Sequence, residues 1–385
     1  MKIKAPGRIC LFGEHQDYLG FPVIAAAINR FIFIEDKIIS QTLDSSEIKN
    51  LNIYYKINMP NISKNIEINF NLNNRLVYTE KRDYLKSGIN IIVDMLKNEF
   101  SMIKKIQKEF FLPKEITITG NLPINAGASS SSALVIAWIF YLSKLLNLNL
   151  SKTEIANLGY LAEVKEFNEA GGMMDHFTSA IGGIIYLETY PKFYPQPIEK
   201  YENNFNNSFI LINTKKSKDT IDDLKKVKNR SLKGFEIIEK LIENFDKYSF
   251  DTSNLEKIKS EVDEEYYNIV LGNLENRDLT QAAKQILNKS QNQELSDNDK
   301  RKFGSLIFKH HKVLSEKIQV STQEIDNIIE FGIDNGAYGG KINGSGFGGT
   351  LFLYCPENRD EIFEKLKNKN YEVYKIEISN GVELY

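Results

Sequence analysis

The chain turns from a predicted strand into a predicted helix through Leu122-Pro-Ile-Asn-Ala-Gly-Ala-Ser-Ser-Ser-Ser-Ala-Leu134. Residues 115–119 alternate apolar and polar side chains, as strands do, and residues 133–146 are apolar enough for a buried helix. The first N–H groups of a helix have no partner within it, and the helix dipole favours an anion there. Gly127 has no Cβ, so a ligand can approach the backbone closely. The stretch therefore predicts a triphosphate site, with a serine hydroxyl able to ligate Mg²⁺; the alternative is that the serines only cap the helix.

Composition bounds the class of protein. At 385 residues, with 42% hydrophobic and 26% charged side chains, the chain predicts two domains of an ordinary globular protein. The net charge of −2 gives no support for nucleic-acid or membrane-surface binding. Cys10 and Cys355 lie far apart in apolar segments, which favours reduced, buried thiols in a cytoplasmic protein. No signal peptide or spanning segment is recognised, and we expect a cytoplasmic monomer or weak dimer.

Polar side chains able to bind a ligand cluster near the start of the chain. Residues 1–13 predict a short strand broken at Pro6-Gly7, and residues 23–34 predict a second, apolar strand. Arg8, Glu14, His15 and Asp17 lie within ten positions, before this second strand. Carboxylates accept paired hydrogen bonds from vicinal hydroxyls, and imidazole can donate or accept. A hydroxyl-rich ligand is one interpretation, and a solvated turn is the other.

Two further carboxylates stand in the middle of the chain. A capping box at residues 151–154 opens a predicted helix through about residue 168, with Glu163 near its centre, where a glutamate is usually solvated. Asp175 follows two glycines and lies among Met and Phe side chains, so it is either an N-cap or a catalytic carboxylate in a dry pocket. Tyr84, at the start of the predicted helix 83–100, either stacks on a base or belongs to the core.

The second half of the chain is mostly helical. A Pro/Tyr/Asn-rich passage at 190–205 is the predicted linker between domains 1–200 and 201–385. Charged helices are predicted at 220–247, 254–288, 301–318 and 322–335. A glycine-rich turn at 339–349 precedes the strand 351–354, which indicates either a close approach to another element or ligand, or a tight hairpin.

Taken together, three loops resemble the motifs of the GHMP kinases, and within them those of galactokinases. The loops are Pro6-Gly7-Arg8 through Gly13-Glu14-His15-Gln16-Asp17-Tyr18, then Pro123 through Ala133, then Asn343-Gly344-Ser345-Gly346-Phe347-Gly348-Gly349. Ala162-Glu163, Met174-Asp175, Phe303-Gly304 and His310-His311 match between them, so the resemblance covers nearly the whole chain.

The resemblance implies an α+β fold of two domains, like ribosomal protein S5 domain 2 and ferredoxin respectively, and an ATP-dependent sugar-1-kinase acting on D-galactose with Mg²⁺. It places Asp175 and Arg8 beside the anomeric hydroxyl that is phosphorylated. Glu14, His15, Asp17, Gly172 and Asp175 would bind the sugar. The residues implied for ATP are Pro123, Asn125, Ala126, Gly127, Ala128, Ser129, Ser130, Ser131, Ser132, Gly344, Ser345 and Gly346, and those implied for the metal are Ser130, Ser131 and Glu163.

Some positions depart from the galactokinase pattern. Asn125-Ala126-Gly127-Ala128 replaces Gly-x-Gly-Leu, and the Trp before Tyr84 is missing. A tyrosine that touches the sugar in that family falls at Lys225, near Lys215, Lys216 and Lys218. These lysines either form a solvated loop or indicate a sugar with a carboxylate, such as galacturonate. L-fucose and L-arabinose are other candidate substrates, and a non-catalytic sugar or ATP sensor is the alternative from another class.

Overall fold

A large, mostly antiparallel sheet forms one side of the molecule. The computed structural model describes residues 1–40, 52–98, 108–123, 127–188, 199–201, 205–216, 220–290 and 294–385. Among these residues the sheet order is β12-β1-β2-β5-β3-β4, and β6 joins β2 to β7. The strands are β1 (Lys2–Phe12), β2 (Val23–Ile38), β3 (Asn52–Met59), β4 (Lys64–Asn71), β5 (Lys114–Gly120), β6 (Ile184–Leu187), β7 (Glu199–Tyr201) and β12 (Glu383–Leu384).

Helices cover this sheet because their apolar faces need a partner. They are α1 (Tyr84–Asn98), α2 (Lys108–Phe111), α3 (Ser130–Leu145), α4 (Lys152–Tyr160) and α5 (Met174–Ile181). α3 is buried on nearly every side, as its apolar sequence predicts. Its Trp138 is fully buried and donates its indole N–H to the carbonyl of Leu85, 2.9 Å away. The capping box at Ser151 and Glu154 is confirmed at the start of α4.

A second, four-stranded sheet has the order β11-β8-β10-β9 and is wholly antiparallel. Its strands are β8 (Phe209–Asn213), β9 (Gly339–Asn343), β10 (Thr350–Tyr354) and β11 (Glu372–Ile376). The helices packed around it are α6 (Thr220–Leu241), α7 (Glu264–Ser290), α8 (Asp297–Glu316), α9 (Gln323–Asp334) and α10 (Arg359–Asn368). The α+β class predicted from the sequence is therefore confirmed.

An aromatic cluster joins the two sheets. Phe12 of β1 contacts Phe303 of α8 edge-to-face at 5.4 Å between ring centroids, and Phe303 in turn contacts Tyr354 of β10 at 5.7 Å. Strand β12 returns to pair with β1, so the end of the described chain lies in the first sheet. The division after residue 200 stays a prediction, and most of the predicted linker 190–205 lies outside the described residues.

Two predicted elements differ from the structure. β1 is not broken at Pro6-Gly7 but continues to Phe12. Its pairing with β2 shifts register between Pro6 and Arg8. The predicted helix 254–288 is two elements, a 3₁₀ helix at Thr252–Glu261 and then α7, because Val262 takes an extended conformation. Cys10 and Cys355 are buried, unpaired thiols as expected.

Candidate active site

A cavity of about 470 Å³ lies where the start of α3 meets the loops after β1 and β9 and the start of α5. Fourteen of the residues implied by the resemblance line it, although they come from distant parts of the sequence. They are Arg8, Glu14, His15, Asp17, Gly127, Ser129, Ser130, Ser131, Ser132, Glu163, Gly172, Asp175, Gly344 and Ser345.

The other implied residues do not line this cavity. Pro123 and Ala128 are buried, and the carbonyl of Ala128 accepts the backbone N–H of Arg8 at 3.3 Å. Gly346 is buried with a φ of +80°, and an added Cβ would lie 2.1 Å from the carbonyl of Val320. Asn125 and Ala126 lie outside the described residues.

Arg8 and Asp175 form a two-pronged ion pair inside the cavity. The guanidinium Nε and Nη2 of Arg8 donate to the two carboxylate oxygens of Asp175 at 2.8 and 2.9 Å. The Arg8 side chain is 5% exposed and that of Asp175 is 26% exposed, so the carboxylate is the partner that faces the open space. Such bidentate pairs fix both distance and orientation.

The charge of Asp175 is stabilised although the group is partly buried. Burial by itself would raise the pKa of this carboxyl, but the guanidinium of Arg8 and the hydroxyl of Ser129 outweigh it and lower the pKa below its usual value. Asp175 is therefore an ionised carboxylate at neutral pH, able to accept a hydrogen bond or a proton from a substrate.

Ser129 begins α3 without capping it. Its φ is +60°, its side chain makes no cap hydrogen bond, and its hydroxyl donates to Asp175 instead. The simple interpretation of Ser129 as a helix cap is therefore wrong. The N-terminal end of α3 opens to the cavity beside Ser130, Ser131 and Ser132, which is an arrangement that favours an anion.

Glu163 is a buried group rather than the solvated glutamate expected for the middle of a helix. It lies in a π-helical turn at Leu161–Lys165 that follows α4, and its side chain is 8% exposed. Burial would raise its pKa, but His176 and the hydroxyls of Ser131 and Ser132 outweigh it and lower the pKa. The result is an ionised carboxylate beside the serine hydroxyls.

Glu14 is fully buried and forms an ion pair with a buried lysine. Its carboxylate pairs with Lys341 of β9, which is 0% exposed, and lies 3.4 Å from the backbone N–H of Gly344. Replacing either partner would leave a buried charge without compensation. The first and third motifs are thus linked at the same wall of the cavity.

His15 and Asp17 are oriented by backbone groups. The Nε2 of His15 donates to the carbonyl of Ser345 at 3.1 Å, and its Nδ1 lies 2.7 Å from the hydroxyl of Tyr18. Asp17 accepts the N–H groups of Tyr18 and Met174 at 2.9 and 3.1 Å. Burial raises the pKa of Asp17, and these two N–H groups oppose the rise.

Gly172 is placed against the Asp17 carboxylate. A Cβ added at Gly172 would lie 1.9 Å from the nearer oxygen of Asp17, a distance at which the carboxylate must move. The glycine is required here by close approach of a side chain rather than by an unusual backbone conformation.

Asn343 joins β1 to the segment before α3 that contains Gly127. Its side-chain amide donates to the carbonyl of Gly127 at 3.0 Å, and its oxygen accepts the N–H of Cys10 at 2.9 Å. Gly344, with a φ of +82°, approaches the same segment so closely that an added Cβ would lie 3.0 Å from the Gly127 carbonyl.

Lys215, Lys216 and Lys225, the described lysines near the expected sugar contact, do not line the cavity. Lys225 is exposed, and its neighbour Leu224 lines the cavity instead. Lys216 pairs with Glu324 at 2.6 Å, Lys215 lies 3.8 Å from Glu372, and Lys218 is outside the described residues.

Sequence reasoning missed several residues that support the site. Tyr18, Arg82, Glu169 and His176 line the cavity, and Lys341 and Asn343 hold its walls in place. Arg82 donates to both oxygens of Glu169 at 2.7 and 3.0 Å. Tyr18 and Asn343 carried a sequence signal because they belong to the first and third motifs, and His176 did because it directly follows Asp175.

Tyr84 packs in part against the core, and its stacking on a base stays a prediction. It lines the cavity, and its ring also packs edge-to-face against Phe167 at 5.6 Å between centroids. Burial raises the pKa of its hydroxyl, so it stays protonated at neutral pH.

This geometry agrees with the family models that match the chain. The GHMP kinases N terminal domain matches residues 90–183, and the GHMP kinases C terminal model matches residues 282–373. The chain belongs to the GHMP kinases. Within them it is similar to galactokinases, since the galactokinase galactose-binding signature matches residues 2–35, which include Arg8, Glu14, His15 and Asp17.

Curated relatives and solved structures are consistent with this assignment. A galactokinase of Thermotoga neapolitana is 28% identical over 393 residues, which is 98% of this chain and 96% of the relative. A mevalonate kinase of Pyrococcus furiosus is 27% identical, and the match spans 93% of this chain and 90% of the relative. The structure of Lactococcus lactis galactokinase complexed with galactose superposes with a TM-score of 0.77 at 20% identity, covering 100% of this chain and 95% of that one. The predicted GHMP kinase fold is confirmed.

Proposed function

We propose that this protein transfers the γ-phosphoryl group of ATP to the anomeric hydroxyl of D-galactose. The observation that carries the proposal is the Arg8–Asp175 pair, which opens onto the same cavity as Glu14, His15 and Asp17. The galactose-binding signature over residues 2–35 and the galactokinase relatives support the choice of sugar.

The side chains suit phosphoryl transfer, which depends mainly on positioning and on neutralising charge. Arg8 keeps Asp175 ionised, so Asp175 can accept the proton of the attacking hydroxyl or orient that hydroxyl. Arg8 also places positive charge beside the transferred group. The two roles of Asp175 stay open.

The N-terminal end of α3 is the proposed site for the ATP phosphates, with Gly344 approaching from the loop after β9. Ser130, Ser131 and Glu163 offer hard oxygen ligands, the type that Mg²⁺ prefers, so these residues fit the ion. A Mg²⁺ ion bound there would neutralise negative charge on the phosphates. The buried Glu163 carboxylate would hold the ion on the protein side.

Two alternatives stand behind this proposal. A related sugar such as galacturonate, L-fucose or L-arabinose would use the same chemistry, but the exposed position of Lys225 gives no support for a carboxylated sugar. A non-catalytic sugar or ATP sensor would not need Arg8, Glu163 and Asp175 together in one cavity.

The test is ATP consumption with Mg²⁺ across free galactose, galacturonate, fucose, arabinose, glucose, N-acetylgalactosamine and mevalonate. We expect galactose to be turned over fastest, with phosphate on the anomeric oxygen. Preference for another sugar would reject galactose and keep the kinase. Binding without turnover for every compound would support the sensor instead.

A further inference from the structure

His176 contacts Glu163, the carboxylate that also contacts the hydroxyls of Ser131 and Ser132. It follows Asp175 directly in the first turn of α5, and its side chain is 2% exposed. Its Nε2 is 2.8 Å from the Oε2 of Glu163. Because a carboxylate oxygen accepts, the imidazole N–H is the donor.

The imidazole ring has little freedom to leave this position. The ring of Tyr160 contacts it edge-to-face at 5.8 Å between centroids. An added Cβ at Gly159 would lie 3.4 Å from the ring, so the backbone of α4 closes that side. Glu163 itself lies on the π-helical turn Leu161–Lys165, a distortion that is frequent at functional sites.

From this geometry we infer that His176 is a positioning residue for the metal site: it holds the Glu163 carboxylate towards the serine hydroxyls through one N–H···O bond. The inference deepens the proposed function and rests on it for the role of Glu163. It also links the metal ligand to the proton acceptor, because Asp175 and His176 are consecutive residues on α5.

The arrangement matches the general way in which proteins orient ligating carboxylates. A residue that hydrogen-bonds to a metal-binding side chain restricts that side chain to one orientation, and its loss typically reduces metal affinity by about 10- to 100-fold. Among the described residues, the hydrogen bond of the His176 side chain goes to Glu163 and not to Glu14, His15 or Asp17. We therefore expect sugar binding to be independent of His176.

The chain contains a matched control. His311 of α8 also donates from Nε2 to a carboxylate, Asp326, at 2.9 Å, and its side chain is likewise 2% exposed. This pair does not line the cavity. Loss of either histidine removes a similar buried bond, but only His176 contacts the proposed metal ligand.

The experiment measures binding rather than turnover. The affinity of the full chain for a non-hydrolysable ATP analogue is determined by calorimetry with saturating Mg²⁺ and again with EDTA. The ratio of the two affinities reports the contribution of the metal. Galactose affinity is measured separately in EDTA.

We expect His176→Leu to lower this ratio by about 10-fold or more, with galactose affinity unchanged. His176→Gln, whose amide can still reach Glu163, is expected to retain most of the ratio, whereas the shorter His176→Asn is not. His311→Leu is expected to lower thermal stability and leave the ratio unchanged.

A wild-type ratio in both His176→Leu and His176→Asn would overturn the inference, as would an equal loss in His311→Leu. If His176→Leu does not fold, the comparison of Gln with Asn decides by the same criterion. Failure of galactose phosphorylation in the wild type would reject the sugar assignment alone, because the nucleotide and metal affinities are measured without sugar.

Discussion

Arg8 shows how one side chain can set the electrostatics of a site. Besides its pair with Asp175, its Nη1 donates to the carbonyl of Gly127 at 2.6 Å and lies 3.4 Å from the side-chain oxygen of Asn343. Arg8 therefore contacts Gly127 before α3, the proposed base Asp175, and Asn343 of the third motif. Arg8 also lies directly after a register shift in the pairing of β1 with β2.

Asp175→Asn tests the proposed base. The amide keeps the shape of the side chain but loses the charge and the ability to accept a proton. We expect kcat on galactose to fall by about 10²-fold or more while galactose still binds. Steady-state kinetics with equilibrium binding measures both, and a near-wild-type kcat would remove Asp175 from the mechanism.

Ser129 is expected to set the pH at which Asp175 loses its charge. Its hydroxyl lowers the pKa of Asp175, so Ser129→Ala and Ser129→Gly should both raise it. Since the acid limb of kcat/KM follows protonation of the base, that limb should move to higher pH in both variants. An unmoved limb would mean that another group titrates there.

The same two variants separate the hydroxyl from the backbone. Ser129 has a φ of +60°, a conformation that glycine adopts without the penalty of a Cβ. Ser129→Gly is therefore expected to be more stable than Ser129→Ala by roughly 0.5–1 kcal/mol. Urea unfolding measures the difference, and equal stabilities would mean that the local backbone relaxes in the alanine variant.

Gly172→Ala tests the position of Asp17. The added methyl group must displace the Asp17 carboxylate, and a misplacement of this kind can cost about 10²-fold in kcat/KM. We expect the loss to appear with varied galactose and not with varied ATP. Gly171→Ala is the control, because its added Cβ would meet only Val164, at an ordinary 3.5 Å.

At the scale of elements, the sequence predicted those parts that local chemistry decides. The buried helix α3 follows from its apolar composition and the start of α4 from its capping box. The glycine-rich turn predicted at 339–349 is shorter in the structure, because its first residues form strand β9, Gly339–Asn343. The burial of Glu163 could not be read from the sequence. It depends on a π-helical turn and on His176 from a different helix, and neither leaves a periodic pattern.

The residues proposed as ligands were predictable only through resemblance to the GHMP kinases, because spacing alone left each loop with a solvated or structural alternative. The residues that hold these side chains in place were not predictable even with the resemblance. Lys341 faces Glu14 across more than three hundred residues, and nothing in either segment indicates the other. The roles of the site residues stay predictions until the variants are measured.

Asp326 gives a pH test of how α8 and α9 are held together. Although burial alone would raise its pKa, hydrogen bonds from His311, Ser321 and Ser315 lower it from 3.8 to about 2. A depressed pKa contributes stability that is present above the ordinary value of 3.8 and is lost as the pH falls through about 2.

Asp326→Asn is therefore expected to lower the free energy of unfolding at pH 7 by roughly 1–2 kcal/mol, allowing for screening at a partly exposed carboxylate. The difference from wild type should narrow as the pH is lowered below 4. Glu316→Gln is the control, since its pair with Lys312 is exposed and should contribute little. A difference that is constant with pH would contradict the argument.

At the scale of the whole molecule, Asn343 is the residue that joins the two sheets at the cavity. Asn343→Ala would leave the buried N–H of Cys10 without its acceptor, at a cost of about 1–3 kcal/mol in the free energy of unfolding. We expect lower kcat as well, because the Gly127 carbonyl loses one of its two side-chain donors and keeps only Arg8. Unfolding and kinetics on one preparation measure both, and unchanged stability would show that water replaces the amide.

The pairing of β1 with β12 has a consequence for how the active protein is made. Arg8 leaves the ribosome long before Gly344 and Ser345, which complete its cavity, and before residues 383–384, which pair with its strand. Contacts between such distant segments close large loops and form slowly. Helix content should thus return early on refolding, and kinase activity should lag behind it.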